Sequence, residues 1–213
     1  IYQLVKRGHR IVDVIQAFRV AKDSGLKIVA HMMPGLPGST PEKDLKAFRT
    51  LFENSDFKPD MLKIYPTLVI KSAELYNWWK KGDYSPYDLD TTVNLLADIK
   101  KYVPDWIRIM RINRDIPARL IEDGVKRSNL RELVQQEIQN RGYSCRCIRC
   151  REVGLKRLTH IQYDDGDIEF KQEKYFASEG EEIFLSLIDK NDDSLVGFIR
   201  LRKPSAFAHR PEI

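Results

Sequence analysis

The segment Leu26-Lys-Ile-Val-Ala-His-Met-Met-Pro-Gly-Leu-Pro-Gly38 indicates the fold class of this chain. Its first eight residues are mostly apolar, which is typical of a buried strand, and prolines and glycines then form a loop. A helix is expected next, because Ser39 or Thr40 can cap it and Glu42 stands where it would complete a capping box with Ser39. The order strand, loop, helix is the repeating unit of α/β structure.

The same unit recurs along the first two thirds of the chain. Apolar runs predict strands at 61–65 and 106–112, and helical spacing predicts helices around 75–81 and 93–103. A further helix is expected from Asn129, with Glu132 completing a capping box, to Gly142. Beyond Gly154 the pattern changes to strands, at 168–176, 182–189 and 195–202, with a hairpin turn at 190–193. The sequence therefore predicts an α/β segment, a cysteine-rich joint and a β-rich segment.

The three cysteines of the chain lie together in Cys145-Arg-Cys-Ile-Arg-Cys150. Thiolates at this spacing on one short loop favour a structural zinc site, while an iron–sulfur centre and a site without metal remain alternatives. His160 is the nearest histidine for a fourth position, and His9, a carboxylate or water are other candidates. Nothing near the cysteines resembles a general base, so a staple between two domains is favoured over a reaction centre.

Positive charge is concentrated around the same cysteines. Between residues 141 and 157 there are six basic residues and one acidic residue, a surplus equal to the formal charge of +5 of the whole chain. Two arginine groups are candidates for contacts with nucleic-acid phosphates. They are Arg146, Arg149 and Arg151 beside the cysteines, and Arg108, Arg111 and Arg114 near the strand at 106–112. The alternative is an ordinary solvated surface whose arginines pair with acids such as Asp105, Asp115 and Glu152.

A ligand-binding mouth is expected where the parallel strands end, because α/β sheets bind ligands at the carboxyl ends of their strands. The candidates at the end of the first strand are His31, Met33, Pro34 and Gly35. Lys63 and Tyr65 end the next strand, and Arg111 ends the one after it. The alternative is a purely structural loop with a hydrogen-bonded core histidine. No Ser/His/Asp or Cys/His arrangement emerges, so no catalytic residue is assigned.

Composition limits the class of protein. The chain has 213 residues, 42% of them hydrophobic, and no apolar run long enough to span a bilayer, so no membrane association is expected. An odd number of clustered cysteines and the lack of a signal peptide favour a reducing cytoplasm. A sequence pI near 9.0 favours an anionic partner. The first residue is not methionine and no closing element follows Pro211, which leads us to expect a fragment of a longer protein.

Several strings together resemble the catalytic subunit of Elongator, a family of tRNA-modifying enzymes that joins a radical S-adenosylmethionine domain to an acetyltransferase domain. The resemblance covers nearly the whole chain, and the cysteine triplet favours the archaeal or bacterial type. The strings are His31-Met-Met-Pro-Gly-Leu-Pro-Gly38, Pro59-Asp-Met-Leu-Lys-Ile-Tyr-Pro-Thr-Leu-Val69, Arg108-Ile-Met-Arg-Ile-Asn-Arg-Asp-Ile-Pro117, Cys145-Arg-Cys-Ile-Arg-Cys-Arg-Glu-Val-Gly154 and Gly197-Phe-Ile-Arg-Leu-Arg202.

The resemblance implies an α/β architecture in three parts. Residues 1–142 would form the later half of a partial (βα) radical S-adenosylmethionine barrel, residues 143–167 a zinc-bearing linker, and residues 168–213 the first strands of an acetyltransferase domain of the GNAT type. The family's C-x-x-x-C-x-x-C motif for its four-iron cluster does not occur here, and the cysteine triplet differs from it in spacing and position. The cluster ligands and the acetyl-CoA loop are therefore expected outside this chain.

The resemblance also implies a function. The family uses acetyl-CoA and S-adenosylmethionine to form a carboxymethyl group at carbon 5 of the wobble uridine of tRNA. This chain would supply contacts to the anticodon stem-loop, part of the S-adenosylmethionine pocket and a structural zinc, and would be inactive alone. Self-association or accessory subunits are further expected partners. A protein lysine acetyltransferase and a non-catalytic RNA-binding fragment are the alternative functions.

Overall fold

The computed structural model describes residues 1–156 and 167–209. Its helices are α1 Ile11–Asp23, α2 Pro41–Glu53, α3 Leu75–Lys81, α4 Leu89–Lys101, α5 Leu130–Asn140, α6 Ile148–Arg151 and α7 Val153–Lys156. Its strands are β1 Val29–Met32, β2 Met61–Ile64, β3 Val69–Ile70, β4 Arg108–Ile112, β5 Ile121–Asp123, β6 Ile168–Ala177, β7 Gly180–Asp189 and β8 Ser194–Lys203.

A parallel sheet with the strand order β1-β2-β4 forms the first part of the fold. Leu62 and Ile64 of β2 and Ile109 and Ile112 of β4 are buried, and they share a core with the buried faces of α2 and α4. Strands that alternate with covering helices are the pattern of α/β structure. The predicted α/β class and the three predicted parallel strands are therefore confirmed.

Two predicted helix starts differ in detail from the structure. The hydroxyl of Thr40 caps α2 by accepting the N–H of Lys43, whereas Ser39 donates its hydroxyl to Asp44, so the predicted capping box with Ser39 is wrong. The side chain of Asn129 makes no capping bond at the start of α5, so the second predicted box is also wrong. In both places the spacing of a capping box is present, but the side chains do not make its hydrogen bonds.

The antiparallel pair of β3 and β5 was not predicted. Its strands are only two and three residues long, which is too short to show a period in the sequence. Asp123 at the end of β5 accepts the indole N–H of Trp79 at 2.8 Å, and this bond ties α3 to the pair.

The β-rich segment is a three-stranded antiparallel sheet in the order β6-β7-β8, as the sequence predicts. The predicted turn at 190–193 is present, with Asp193 at a φ of 58° and its N–H donated to the carbonyl of Asp189. One face of this sheet packs on the α/β segment. The N–H of Ser178, in the turn between β6 and β7, donates to the carbonyl of Ser55 at 2.6 Å. Buried residues of both sheets belong to one hydrophobic core.

Buried charges also join the two sheets. Lys22 of α1 is 2% exposed, and its ammonium lies 3.1 Å from Oε1 of Glu182 and 3.5 Å from Oδ1 of Asp60. The guanidinium of Arg202 lies 3.0 Å from the same oxygen of Glu182, and that of Arg200 contacts Asp60. These cations and anions compensate one another, which is necessary because an isolated buried charge is strongly destabilising.

Candidate metal centre and cationic face

The three cysteines converge on one point of the linker. One Sγ atom from each lies within 4.8 Å of the others, and Cys145 and Cys147 are buried while Cys150 is half-buried. The linker is anchored to the parallel sheet because the N–H of Ile148 donates to the carbonyl of Ile107, the residue before β4. The cysteines are thus held by the sheet as well as by α6.

The donor set fits one soft metal ion. A tetrahedral zinc ion with Zn–S bonds of about 2.3 Å holds its sulfurs roughly 3.8 Å apart. No histidine or carboxylate joins the cysteines among residues 1–156 and 167–209, so His9 is not the fourth ligand in this geometry. His160 lies outside the described residues. The cysteine group is therefore able to bind a metal with a fourth position that no described side chain fills.

The electrostatic surroundings of the cysteines favour a thiolate at Cys150. Hydrogen bonds with the thiols of Cys145 and Cys147, together with the positive charges of Lys100 and Arg131, lower the pKa of Cys150. The ammonium of Lys100 lies 3.6 Å from Sγ of Cys150. Hydrogen bonds with the thiols of Cys147 and Cys150, together with burial, raise the pKa of Cys145 instead. A negative charge in this cluster is therefore stabilised first at Cys150.

The arginines beside the cysteines occupy different environments. Arg146 pairs with Asp105 at 2.6 Å and with Asp193 at 3.0 Å, and its side chain is half exposed. Arg151 is 3% exposed, and its guanidinium donates to the carbonyls of Arg146 and Asp105. The structure therefore argues against a phosphate contact by Arg151, because its guanidinium is enclosed within the protein.

The two arginines of β4 are also paired with carboxylates. The guanidinium of Arg108 lies 2.8 Å from Oε2 of Glu152, and Arg111 contacts Asp115. Together with the pair of Arg146 and Asp105, these are the acidic partners that the alternative interpretation of the arginines expects. Pairing reduces the charge available to an anion but leaves the exposed guanidiniums accessible.

Arg114 and Arg149 have no carboxylate within ion-pair distance in the part of the chain that the structure describes. The guanidinium of Arg114 lies 5.2 Å from the centre of the Tyr65 ring, a cation–π contact. A surface cavity of about 380 Å³ is lined there by Tyr65, Arg111, Arg114, Asp115 and Ile116. The positive charge of Arg114 is thus held beside a cavity.

Three residues form a row across the parallel sheet. His31 on β1 lies opposite Lys63 on β2, and Lys63 lies opposite Arg111 on β4. A bulge in the register between Leu62 and Lys63 leaves Met110 of β4 without a partner, which brings Arg111 to the same face as Lys63. Burial and the charges of Lys63 and Arg114 lower the pKa of His31. We call His31, Lys63 and Arg111 the cationic row.

The loop after β1 uses its polar backbone groups internally. The N–H of Gly35 donates to Asp44 at 2.8 Å, and its carbonyl accepts the hydroxyl of Tyr84 at 2.7 Å. The carbonyl of Pro34 accepts both the N–H and the hydroxyl of Thr67. Pro34 and Gly35 are buried, and Met33 is half-buried. These contacts match the structural alternative for the loop, but His31 is exposed, so the expectation of a core histidine is wrong. His31, Lys63 and Tyr65 remain as the polar groups at the mouth.

Sequence reasoning missed Lys100, although a signal for it exists. Lys100 follows Leu96 by four residues and precedes Val103 by three, so it lies on the apolar face of α4, where all three residues are buried. A lysine at such a position needs an anionic partner. The contact that the structure gives it is with Sγ of Cys150.

The sequence of this chain is similar to known proteins over nearly its whole length. Residues 59–140 match the Radical_SAM C-terminal domain. A tRNA uridine(34) acetyltransferase of Methanocaldococcus jannaschii is 50% identical over 96% of this chain and 38% of its own length. Elongator complex protein 3 of Saccharomyces cerevisiae is 45% identical over 97% of this chain and 37% of its own length.

This chain is similar over nearly its whole length to Elongator complex protein 3. The resemblance to the Elongator catalytic subunit is thereby confirmed. A solved structure, the archaeal Methanocaldococcus infernus Elp3 with an N-terminal deletion, matches with a TM-score of 0.91 and 49% identity, over 96% of this chain and 48% of that chain. This chain therefore spans well under half of the length of the archaeal acetyltransferase that it matches, namely 38%. None of its described helices is long and apolar enough to cross a membrane.

Proposed function

We propose that this chain is part of an enzyme that modifies the wobble uridine of tRNA, with acetyl-CoA as acetyl donor. The observation that carries the proposal is the 50% identity, over nearly the whole chain, to a protein named tRNA uridine(34) acetyltransferase. The Radical_SAM C-terminal domain adds S-adenosylmethionine and a four-iron cluster as cofactors of the whole protein. We further propose the three predicted parts, namely barrel half at 1–142, linker at 143–167 and acetyltransferase strands at 168–213.

The residues of this chain that fit S-adenosylmethionine are those at the mouth of the parallel sheet. His31 and Lys63 of the cationic row and the neighbouring Tyr65 offer polar groups on the face opposite the helical core. Pro34 and Gly35 do not fit a direct role, since their backbone groups are already bonded within the protein. When bound, S-adenosylmethionine would supply the radical chemistry, and these side chains would orient its polar end.

We propose a zinc ion for the cysteine group. Separations below 4.8 Å suit three sulfurs on one shared ion. A four-iron cluster binds each thiolate to a different iron, which holds the sulfurs further apart. The cysteines lie between the two sheets of one core, so the metal would stabilise the junction between them.

The tRNA would contact the accessible cations of the chain. We propose Arg114 and Arg149, which lack described acidic partners, together with Arg108, Arg111 and Arg146, whose side chains are 30%, 48% and 49% exposed. Contacts to phosphate carry no base information, so they would position the anticodon stem-loop. Arg151 is left out because of its burial.

The function is tested with the full-length protein by measuring acetyl-CoA turnover with tRNA, with lysine-containing peptide, and with neither. Turnover that depends on tRNA supports the proposal. Turnover stimulated only by the peptide would identify a protein lysine acetyltransferase and refute it.

The tRNA surface is tested by comparing Arg149→Ala and Arg114→Ala with Arg151→Lys as a buried control. Each of the two alanine substitutions should weaken tRNA binding and reduce the slope of log affinity against log salt concentration by about 1. The control substitution should leave both the affinity and the slope unchanged. Unchanged affinity and slope in the first two variants would remove them from the interface.

The zinc site is tested by elemental analysis of the full-length protein and of Cys147→Ser. About one zinc per chain is expected, and the serine variant should lose it, because serine does not provide a thiolate. Full zinc content in the variant would exclude this site.

A further inference from the structure

Lys100 is the most completely buried cation near the cysteine group. It lies on the last turn of α4, and its side chain is 1% exposed. In the described part of the chain it pairs with no carboxylate, and its ammonium donates to Sγ of Cys150 at 3.6 Å. Its neighbour Lys101 is exposed and has no contact with the cysteines.

A buried ammonium requires compensation. Removing it from water without an anionic partner is strongly unfavourable, and a neutral thiol is only a weak acceptor. A thiolate therefore fits this position and a thiol does not. Three thiolates on a divalent ion carry a formal net charge of −1, which one lysine balances.

A second cation lies on the same side of the cysteines. Arg131 of α5 donates to the carbonyl of Ile109 at 3.1 Å, and its charge interacts with all three thiols. Its guanidinium therefore donates to the backbone of β4, and among the cations of residues 1–156 and 167–209 only Lys100 contacts a cysteine sulfur directly. The direct contact makes Lys100 the specific partner of Cys150.

We propose that Lys100 is a positioning residue of the metal centre, which orients the Cys150 sulfur and balances the negative charge of the three metal-bound thiolates. This proposal rests on the metal site of the proposed function. It assigns to α4, which precedes the linker by more than forty residues, a part in metal binding that the cysteine motif does not show. Groups that support metal ligands in this way usually change metal affinity by about 10- to 100-fold when removed.

The test measures zinc affinity of the full-length protein by competition with a chelator. Lys100→Met, which keeps the apolar stem and removes the charge, should bind zinc about 10- to 100-fold more weakly. The exposed control Lys101→Met should bind like the wild type, and the charge-preserving Lys100→Arg should recover part of the loss. With cobalt in place of zinc, Lys100→Met should also shift the sulfur-to-cobalt charge-transfer bands, which report on the Cys150 bond.

Two results would overturn the proposal. One is a zinc affinity of Lys100→Met within about twofold of the wild type, well below the effect expected of a supporting group. The other is an equal loss in Lys100→Arg, since it would show that packing alone is disturbed. Cys147→Ser separates this from the site itself, because zinc retained there refutes the metal site and not only the role of Lys100.

A further measurement applies if Lys100→Met does not fold. In the wild-type protein with isotope-labelled lysine, the side-chain signal that is missing from the Lys100→Arg spectrum belongs to Lys100. That signal should shift when zinc is added. A signal unaffected by zinc would contradict the proposed contact.

Discussion

Trp106 stacks on Tyr175 with ring centroids 4.0 Å apart and ring planes 15° from parallel. Trp106 precedes β4 and Tyr175 belongs to β6, so the stack joins the two sheets. Both rings are more than nine-tenths buried. The stack is thus a central contact of the shared core.

Trp106→Ala should lower the free energy of unfolding by about 3–5 kcal/mol, because it leaves a large cavity between the sheets. Tyr175→Phe should change it by less than about 1 kcal/mol, since the buried hydroxyl has no hydrogen-bond partner in the described structure. Urea denaturation measures both. Trp78→Ala, on the half-buried α3, is the control and should cost less. Equal losses for the two tryptophans would contradict a special role for the stack.

The buried carboxylate of Glu182 should contribute far more to the free energy of unfolding than the carboxylate of the neighbouring Glu181. Glu182→Gln removes the charge that faces Lys22 and Arg202, and should cost about 3–5 kcal/mol of unfolding free energy. Glu181→Gln is a matched control, because Glu181 pairs with the exposed Lys203 and should contribute less than about 1 kcal/mol. Similar thermal denaturation of the two variants would show that the buried network is not stabilising.

Glycine is required at position 35 by the backbone conformation there and by the close approach of the Tyr87 ring. It has a φ of 79°, and an added Cβ would lie 3.2 Å from the ring of Tyr87. Gly82 has a similar φ of 80° with nothing within 4 Å, so Gly82→Ala carries the backbone strain alone. Gly35→Ala should cost about 1–3 kcal/mol more than Gly82→Ala in a chemical denaturation experiment. An equal cost in the two variants would show that the Tyr87 ring moves aside freely.

Lys22 gives the stability a specific dependence on pH. Burial lowers the pKa of Lys22 from 10.5 to about 8, despite the opposing charge of Glu182. Between these two values the unfolded chain binds the proton that the folded chain releases, so the contribution of Lys22 to stability becomes more favourable as pH rises. The slope is at most about 1.4 kcal/mol per pH unit.

The comparison of wild type with Lys22→Met isolates this effect. Urea denaturation is measured between about pH 7.5 and pH 9.5, a range that begins near the lowered pKa of Lys22 and ends below the usual lysine pKa. Over this range the stability of the wild type should rise relative to that of the variant. A difference that is constant with pH, or that falls, would contradict the lowered pKa.

The sequence predicts which segments form strands better than it predicts the residues at which the strands begin and end. The strand expected at 26–33 is observed only at Val29–Met32, because the N–H of Ile28 donates to the carboxylate of Asp60 and not to a strand partner. Asp60 lies 32 residues away, and no local pattern reveals it. The bulge at Met110 is equally invisible, since it depends on the register between β2 and β4.

The arginines show a second limit of sequence reasoning. A local charge count treats Arg146 and Arg151 alike, yet the first is exposed and the second buried. Their partner Asp105 lies 41 residues before Arg146, and Asp193 lies 47 residues after it. Only the packing of the two sheets decides which guanidinium faces water. The cysteine cluster was predictable because its ligands are adjacent in the sequence.

The cationic row has a thermodynamic consequence. Lys63 lies opposite Arg111 in the register, and like charges opposite one another on adjacent strands oppose sheet formation. An anion bound on this face would relieve that repulsion, so ligand occupancy and folding are linked, and each favours the other. Added salt would have the same effect more weakly by screening. The sheet without an anion is therefore less stable than the same sheet with an anion bound. Part of the favourable free energy of binding would come from relief of the repulsion within the row.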